Sequence, residues 1–173
     1  FFLIPQVLGK PRGLGLDTAT VGNLVISRPL AFSISAPLAA IVTLKVGERI
    51  AGVAGALGLV VSMTMWMTVG FDTGYVFIIA ATAMSGVGLG IASPALTSLM
   101  ANAVDETDLG VAGAMQQLMT QLGAVLGSAV LATISATATA DDFGPFHTAF
   151  FVGACVAGLG AVAASFVHST PRA

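Results

Sequence analysis

Residues 73–104 read TGYVFIIAATAMSGVGLGIASPALTSLMANAV and carry no charged side chain. A run of about 18 or more predominantly apolar residues is long enough to cross a bilayer as a helix. A backbone in lipid must satisfy its own hydrogen bonds, so only helices and closed barrels span membranes. Because this stretch also lacks the polar alternation of a barrel strand, it predicts a transmembrane helix.

The rest of the chain repeats this pattern. Its six basic and eight acidic residues sit mostly in short clusters, and uncharged runs cover 50–71, 109–140 and 143–171. A fifth run, at 18–44, is interrupted by Arg28 alone. Only 8% of the residues are charged and 56% are hydrophobic, whereas soluble domains carry about 25% charged residues. We therefore predict an all-α, polytopic transmembrane helix bundle, a multi-pass protein of the cell membrane.

Five complete spans and part of a sixth are expected. The predicted helices lie at about 19–43, 50–70, 75–101, 108–135 and 146–168. Residues 1–8 start with Phe1 and have no basic leader, so they are not a signal peptide and are interpreted as the end of a truncated helix ahead of a bundle over 9–173. We expect the chain to be the C-terminal part of a larger protein, with the missing N-terminal half as its partner.

Arg28 is the one charge inside a predicted span. A mid-membrane arginine costs about 2.5–3.5 kcal/mol on insertion scales, so it usually faces a wet cavity. Pro29 follows it and has no N–H, which frees the carbonyl of Val25 and predicts a helix kink. No acidic residue lies within the spans, so water, freed carbonyls, a substrate anion or the missing half is expected to meet the guanidinium. Snorkelling towards the nearer membrane surface and a packing role are the alternatives.

A second polar stripe follows the helix predicted at 108–135. Gln117 and Gln121 share one face with small residues, while Gln116 points about 100° away. A primary amide that faces hydrocarbon without a partner is costly, so the stripe must face other helices or water. Both interpretations stay open: packing between helices, or the lining of a substrate cavity to which Met115 and Asn23 would also contribute.

Polarity sorts the helices into two groups. The spans at 19–43 and 108–135 are the polar ones and are expected to lie inside, whereas those at 50–70 and 146–168 are expected to be peripheral and to face lipid. His147 is interpreted as an interfacial residue. Five aromatic residues near the ends of spans predict an interfacial belt on one side of the membrane: Trp66, Phe71, Tyr75, Phe143 and Phe146.

Several function classes have no support in the sequence. No basic stripe suggests nucleic acid, and no cluster suggests a metal, a cofactor or a nucleophilic enzyme site. The glycines of GVGLG at 86–90 do not follow a strand, so they predict close helix packing and a kink at Pro94 instead of a nucleotide loop. Small residues at 52, 55 and 58, and the GxxxG at 123–127, also predict close helix packing.

Several segments together resemble a known family. They are FLIPQ at 2–6, LGLDTATVG at 14–22, APLAA at 36–40, KVGER at 45–49, GVGLGIASPAL at 86–96 and ETDLG at 106–110 with the glycines and glutamines that follow. The chain is similar over nearly its whole length to the C-terminal helices of major facilitator superfamily proteins, in the fourteen-span drug:proton antiporter branch. The family's loop motif usually has Gly and Asp where this chain has Ala40 and Leu44, but Lys45, Gly47 and Arg49 keep its other positions.

The resemblance implies a function. It implies proton-coupled efflux of drugs or amphipathic metabolites by alternating access, with protons and a small-molecule substrate as partners. It also implies a gating loop at Lys45, Gly47 and Arg49, on the cytoplasmic side together with 105–108. A nutrient or metabolite symporter of the same fold, and a membrane scaffold subunit that transports nothing, are the alternatives.

Overall fold

The structure, a computed structural model, describes residues 3–9, 14–70, 72–136 and 144–166. These residues form helices and no sheet. The helices are α1 (Leu3–Leu8), α2 (Thr18–Val25), α3 (Ser27–Val46), α4 (Glu48–Met67), α5 (Tyr75–Asn102), α6 (Leu109–Ser135) and α7 (Gly144–Phe166), with one 3₁₀ turn at Glu106–Asp108 before α6. Five helical segments are long and apolar enough to cross a membrane. The predicted all-α transmembrane bundle is therefore confirmed.

The first span is interrupted where the sequence places a proline. The predicted helix at 19–43 divides at Ile26 into α2 and α3. Pro29 cannot donate to the Val25 carbonyl, so the hydrogen-bond ladder breaks and restarts with the proline in the first turn of α3, where no donor is needed. Ile26 keeps right-handed helical dihedrals (φ −61°, ψ −21°), so the two helices follow each other as one membrane span.

Two connections fix how neighbouring helices begin. Asp17 caps α2 by accepting hydrogen bonds from the hydroxyl and the backbone N–H of Thr20. The hydroxyl bond and the N–H bond both lower the pKa of Asp17, because they favour its charged form. Gly47 alone joins α3 to α4, with φ +88° and ψ 152°. This region of φ/ψ space is essentially restricted to glycine, so a single residue makes the whole turn. As a result, α4 starts two residues earlier than the helix predicted at 50–70.

α5 lies in the middle of the bundle, and its glycines explain why. Gly86 and Gly90 face α3, where a Cβ on Gly86 would collide with the Arg28 carbonyl and one on Gly90 with the Ser35 hydroxyl. Gly88 faces α4, and a Cβ there would lie 2.8 Å from the Leu59 backbone nitrogen. The GVGLG segment is therefore a two-sided packing surface that lets two helix backbones approach α5 closely.

The observed packing of the helices differs from the arrangement expected from their polarity. Among the described residues α4 is not peripheral, because it packs against both α5 and α7 and buries Gly52, Gly55 and Gly58. A Cβ on Gly55 would lie 2.5 Å from the Ala92 backbone nitrogen. Because glycine has no side chain, α4 can pack closely against α5. The polar helix α6 is instead almost entirely exposed, with Ser135 as its buried residue.

The expected aromatic belt is wrong for two of its members. Trp66 and Phe146 are each 1% exposed and belong to the hydrophobic core. Trp66 stacks on Phe150 with ring centroids 5.5 Å apart. Tyr75 is 54% exposed, as a belt residue would be. The other two expected members, Phe71 and Phe143, lie outside the described residues.

Candidate functional site

Arg28 lies at the second position of α3 and is partly buried. It lines an interior cavity of about 50 Å³. Residues of five other helices complete the lining, among them Leu3, Ser62, Trp66, Ser85, Leu131 and Phe150. The one charge within the first span is thus directed at the interior of the bundle, on the side where α1, α4 and α7 meet.

The local sequence holds the start of α3 in place. The Ser27 hydroxyl donates to the Leu24 carbonyl at 2.8 Å, across the interruption between α2 and α3. It also lies 3.5 Å from the Ile79 carbonyl on α5. Gly86 lets the Arg28 backbone rest directly on α5. The break in the helix and the close contact with α5 together set the level at which the guanidinium enters the bundle.

The polar groups around this cavity differ in how they are satisfied. The Ser62 hydroxyl donates to the Ala81 carbonyl at 2.8 Å, and the Ser85 hydroxyl to the Thr82 carbonyl at 2.6 Å. The Trp66 Nε1–H is buried and makes no hydrogen bond within the part of the chain that is described. Buried indole N–H groups usually have a partner. Arg28 and Trp66 therefore line one small cavity, while the indole N–H of Trp66 is buried against neighbouring atoms without a hydrogen bond to the described residues.

The predicted cavity residues of α6 do not join Arg28. Met115 is 58% exposed. Gln117 and Gln121 are also exposed, and their side-chain amides make no hydrogen bond to the described residues. α6 meets the Arg28 cavity at Leu131. Ten and fourteen residues separate Gln121 and Gln117 from that position, which is about 15 and 21 Å along a helix. The predicted site is therefore divided between two levels of the bundle.

Two other polar residues do not line the Arg28 cavity either. Gln116, which points away from the predicted stripe, is partly buried, and its amide nitrogen lies 3.4 Å from the Thr97 hydroxyl on α5. It is the glutamine of this helix that packs against a neighbour. Asn23 is exposed on α2 and does not line the cavity.

The loop between α3 and α4 has an anchor that sequence reasoning missed. Lys45, Gly47 and Arg49 are all exposed. Glu48 Oε1, between them, accepts hydrogen bonds from the Ser98 hydroxyl and the Asn102 amide, both at 2.6 Å. Charge-assisted hydrogen bonds of this kind are stronger than neutral ones. Ser98 and Asn102 are four apart at the end of an otherwise apolar helix, a spacing that predicts one shared polar face and could have revealed the contact.

The remaining candidates have structural roles. α5 runs without a break through Pro94, so the kink expected there stays a prediction. The His147 Nε2 lies 3.1 Å from the Val69 carbonyl and so links α7 to the end of α4. Among the described residues no group of three His, Cys, Asp or Glu side chains could hold a metal ion.

Comparison with known proteins places the chain in a family. The family model of the Major Facilitator Superfamily matches residues 1–173, the whole chain. No curated protein and no solved structure matches the chain significantly. The match agrees with the five membrane-length helices and with a charged residue directed into the bundle. The chain therefore belongs to the Major Facilitator Superfamily and is a multi-pass membrane transporter of that family.

Proposed function

We propose that this transporter exports drugs or amphipathic metabolites across the plasma membrane in exchange for protons. The observation that carries the proposal is Arg28, a cation inside the first span that lines an interior cavity. In this proposal two helical bundles rock about a midplane site, and Arg28 contacts anionic groups of the substrate or the water that follows it.

The energetics of Arg28 support a functional role. Its cost at mid-membrane is about 2.5–3.5 kcal/mol, and such residues mark substrate or ion pathways. The cavity that Arg28 lines is shared by residues of five other helices, so a group bound there would contact the interior of the bundle.

The exposed polar face of α6 supports its assignment to a second wall of the transport pathway. Gln117 and Gln121 would lose several kcal/mol if they faced hydrocarbon without partners. We assign them, with Met115, to the wall that faces the other bundle of the transporter. Methionine suits such a wall, because its flexible and polarizable side chain adapts to varied ligands.

The proton-binding group is assigned to other membrane spans. The described spans carry no carboxylate at mid-membrane depth, and proton relays within membranes usually depend on one. We therefore propose that the coupling carboxylate belongs to the N-terminal half of the transporter. The loop with Lys45, Gly47 and Arg49 is assigned to gating, with Glu48 as its link to α5.

The first test removes the Arg28 guanidinium. We expect Arg28→Ala in the intact protein to reduce export of an anionic fluorescent dye by about tenfold or more, the effect of losing one charged hydrogen bond of about 1.5–3 kcal/mol. Arg28→Lys keeps the charge and should retain part of the activity. Asp72→Asn, at an exposed position in the loop before α5, is the control for a change of charge. Immunoblots of the membrane fraction check that insertion is equal in all variants.

The direction and coupling need a separate measurement. In inverted vesicles, an exporter exchanging protons should accumulate dye when the lumen is acidified, and a protonophore should abolish this. Accumulation in intact cells under a proton gradient would instead support a symporter of the same fold. Unchanged dye export by Arg28→Ala would refute the role of Arg28, and no gradient-dependent transport of any tested solute would support the scaffold alternative.

A further inference from the structure

α3 and α4 diverge from the loop that joins them. Both pack closely against α5 but contact each other little. Between them lies an open groove of about 390 Å³, lined almost entirely by apolar side chains, with Ile91 of α5 as its floor. The walls are exposed: Leu38 is 58%, Val42 51% and Ile50 61% accessible.

The groove has the depth of one membrane leaflet. On α3 its lining runs from Ser35 to Val46, at positions three or four apart on one helix face. Eleven residues of helix span about 16 Å, which is roughly half of the 30 Å hydrocarbon core. The groove therefore starts at the α3–α4 loop and ends near the middle of the membrane.

Two exposed cations stand where the groove meets the loop. Lys45 precedes the lining residue Val46, and Arg49 precedes the lining residue Ile50. Neither side chain makes a hydrogen bond or an ion pair with the described residues. The carboxylate between them, Glu48, is held by two hydrogen bonds from α5. The groove thus combines an apolar interior with a basic entrance at the level of lipid headgroups.

These features favour one kind of occupant. The groove is open and almost entirely apolar. A single acyl chain is narrow enough to lie in it. Basic residues at a membrane surface attract anionic lipids, each by about 1 kcal/mol or roughly fivefold in binding. An anionic phospholipid matches both the shape of the groove and the charge of its entrance.

We propose that the groove between α3 and α4 binds an anionic phospholipid, with one acyl chain between the helices and the phosphate at Lys45 and Arg49. The bound lipid would hold α3 and α4 apart at this end, whatever the direction of transport.

The test measures lipid retention by the intact protein. After delipidation in detergent, the protein is titrated with phosphatidylglycerol or with phosphatidylcholine of the same acyl chains, and adducts are counted by native mass spectrometry. We expect wild type to retain phosphatidylglycerol in preference. Lys45→Gln with Arg49→Gln should weaken that binding on the order of 20-fold and remove the preference.

Two further variants test the apolar part. Ala54→Phe fills the groove from α4 and should reduce binding of both lipids, whereas Ala40→Phe, exposed on α3 and outside the lining, should leave binding unchanged. Equal retention of the two lipids by wild type would overturn the proposal. So would full retention by Ala54→Phe, or no retention by wild type, which is the result expected if another helix of the protein fills the groove. The surface variant at 45 and 49 changes no packed residue, so the test does not depend on Ala54→Phe folding.

Discussion

At the scale of single residues, Gly47 has the most specific requirement. It ends α3 and begins α4 with no residue on either side to share the turn. Its dihedrals lie in a region that side chains with a Cβ almost never enter. The backbone there also positions three neighbours with different tasks: Lys45 and Arg49 at the groove entrance, and Glu48 against α5.

We predict that Gly47→Ala destabilises the protein by about 1–3 kcal/mol, because the native backbone at this position strains any residue with a Cβ. The measurement is the melting temperature of the intact protein in detergent. Gly22→Ala is the matched control, since Gly22 is helical, exposed and has no atom within 4 Å of an added Cβ. There the substitution should be neutral or stabilise by up to about 1 kcal/mol. Equal melting temperatures for the two variants would contradict the strain argument.

The predicted spans leave Gly47 in the gap between two helices, but nothing in the sequence singles out its neighbour Glu48. A glycine between two apolar helices is a local signal, because its conformation depends on residues next to it in the chain. The partners of Glu48 lie 50 and 54 positions away, on another helix. A carboxylate at the end of a span is expected on general grounds, so nothing in the local pattern distinguishes a solvated one from an anchored one.

At the scale of helices, glycines determine which elements become neighbours. In lipid there is no hydrophobic driving force between apolar helices, so close contact depends on small side chains. Gly86 and Gly90 on one face of α5 accommodate α3, and Gly88 on the opposite face accommodates α4. The same contact fixes the Arg28 backbone against α5, which couples the packing of this helix to the candidate transport residue.

We predict that Gly86→Ala and Gly55→Ala each destabilise the protein by about 1–3 kcal/mol, because the added methyl groups meet backbone atoms that cannot move aside. Gly123→Ala is the control, since nothing lies within 4 Å of a Cβ there. Thermal unfolding followed by scattering or by a thiol-reactive dye gives the comparison. Gly86→Ala should also reduce dye export more than Gly55→Ala does, because it displaces Arg28. A destabilisation by Gly123→Ala as large as the other two would contradict this account.

The spans could be predicted from sequence, but their facing surfaces could not. Each predicted span agrees with its observed helices within about three residues at either end, since hydrocarbon thickness and charge exclusion set those limits. In water an apolar stripe marks the buried face of a helix, but a membrane helix is apolar all round. With no such stripe to use, the position of Trp66 near a helix end predicts an interfacial residue, although its ring packs in the core.

At the scale of the whole molecule, the order of the helices defines two ends. α5 runs from the loop at Thr73 and Gly74 to the 3₁₀ turn at Glu106–Asp108. Its 28 residues span about 42 Å, more than the hydrocarbon core. The α3–α4 loop lies at the same end as that turn, because Glu48 bonds to Ser98 and Asn102 near the end of α5. The two ends should therefore face opposite compartments.

The resemblance to drug exporters implies that the α3–α4 loop faces the cytoplasm. We predict that Asp72→Cys is labelled by a membrane-impermeant maleimide in intact cells, and that Asp105→Cys is labelled only after permeabilisation. Both positions are exposed, so equal reactivity is expected once the membrane is open. Cys155, the one cysteine of this sequence, is exposed on α7 and is first replaced by Ala.

The labelling pattern distinguishes three arrangements. Labelling of Asp105→Cys alone in intact cells would mean that the orientation is inverted. Both Lys45 and Arg49 would then face the outer leaflet, where a preference for anionic lipid has less to act on. Labelling of both positions in intact cells would mean that α5 does not cross the membrane, contrary to the bundle itself. Labelling of Asp72→Cys alone in intact cells would mean that the α3–α4 loop faces the cytoplasm. The basic groove entrance would then lie in the leaflet that is richest in anionic lipid.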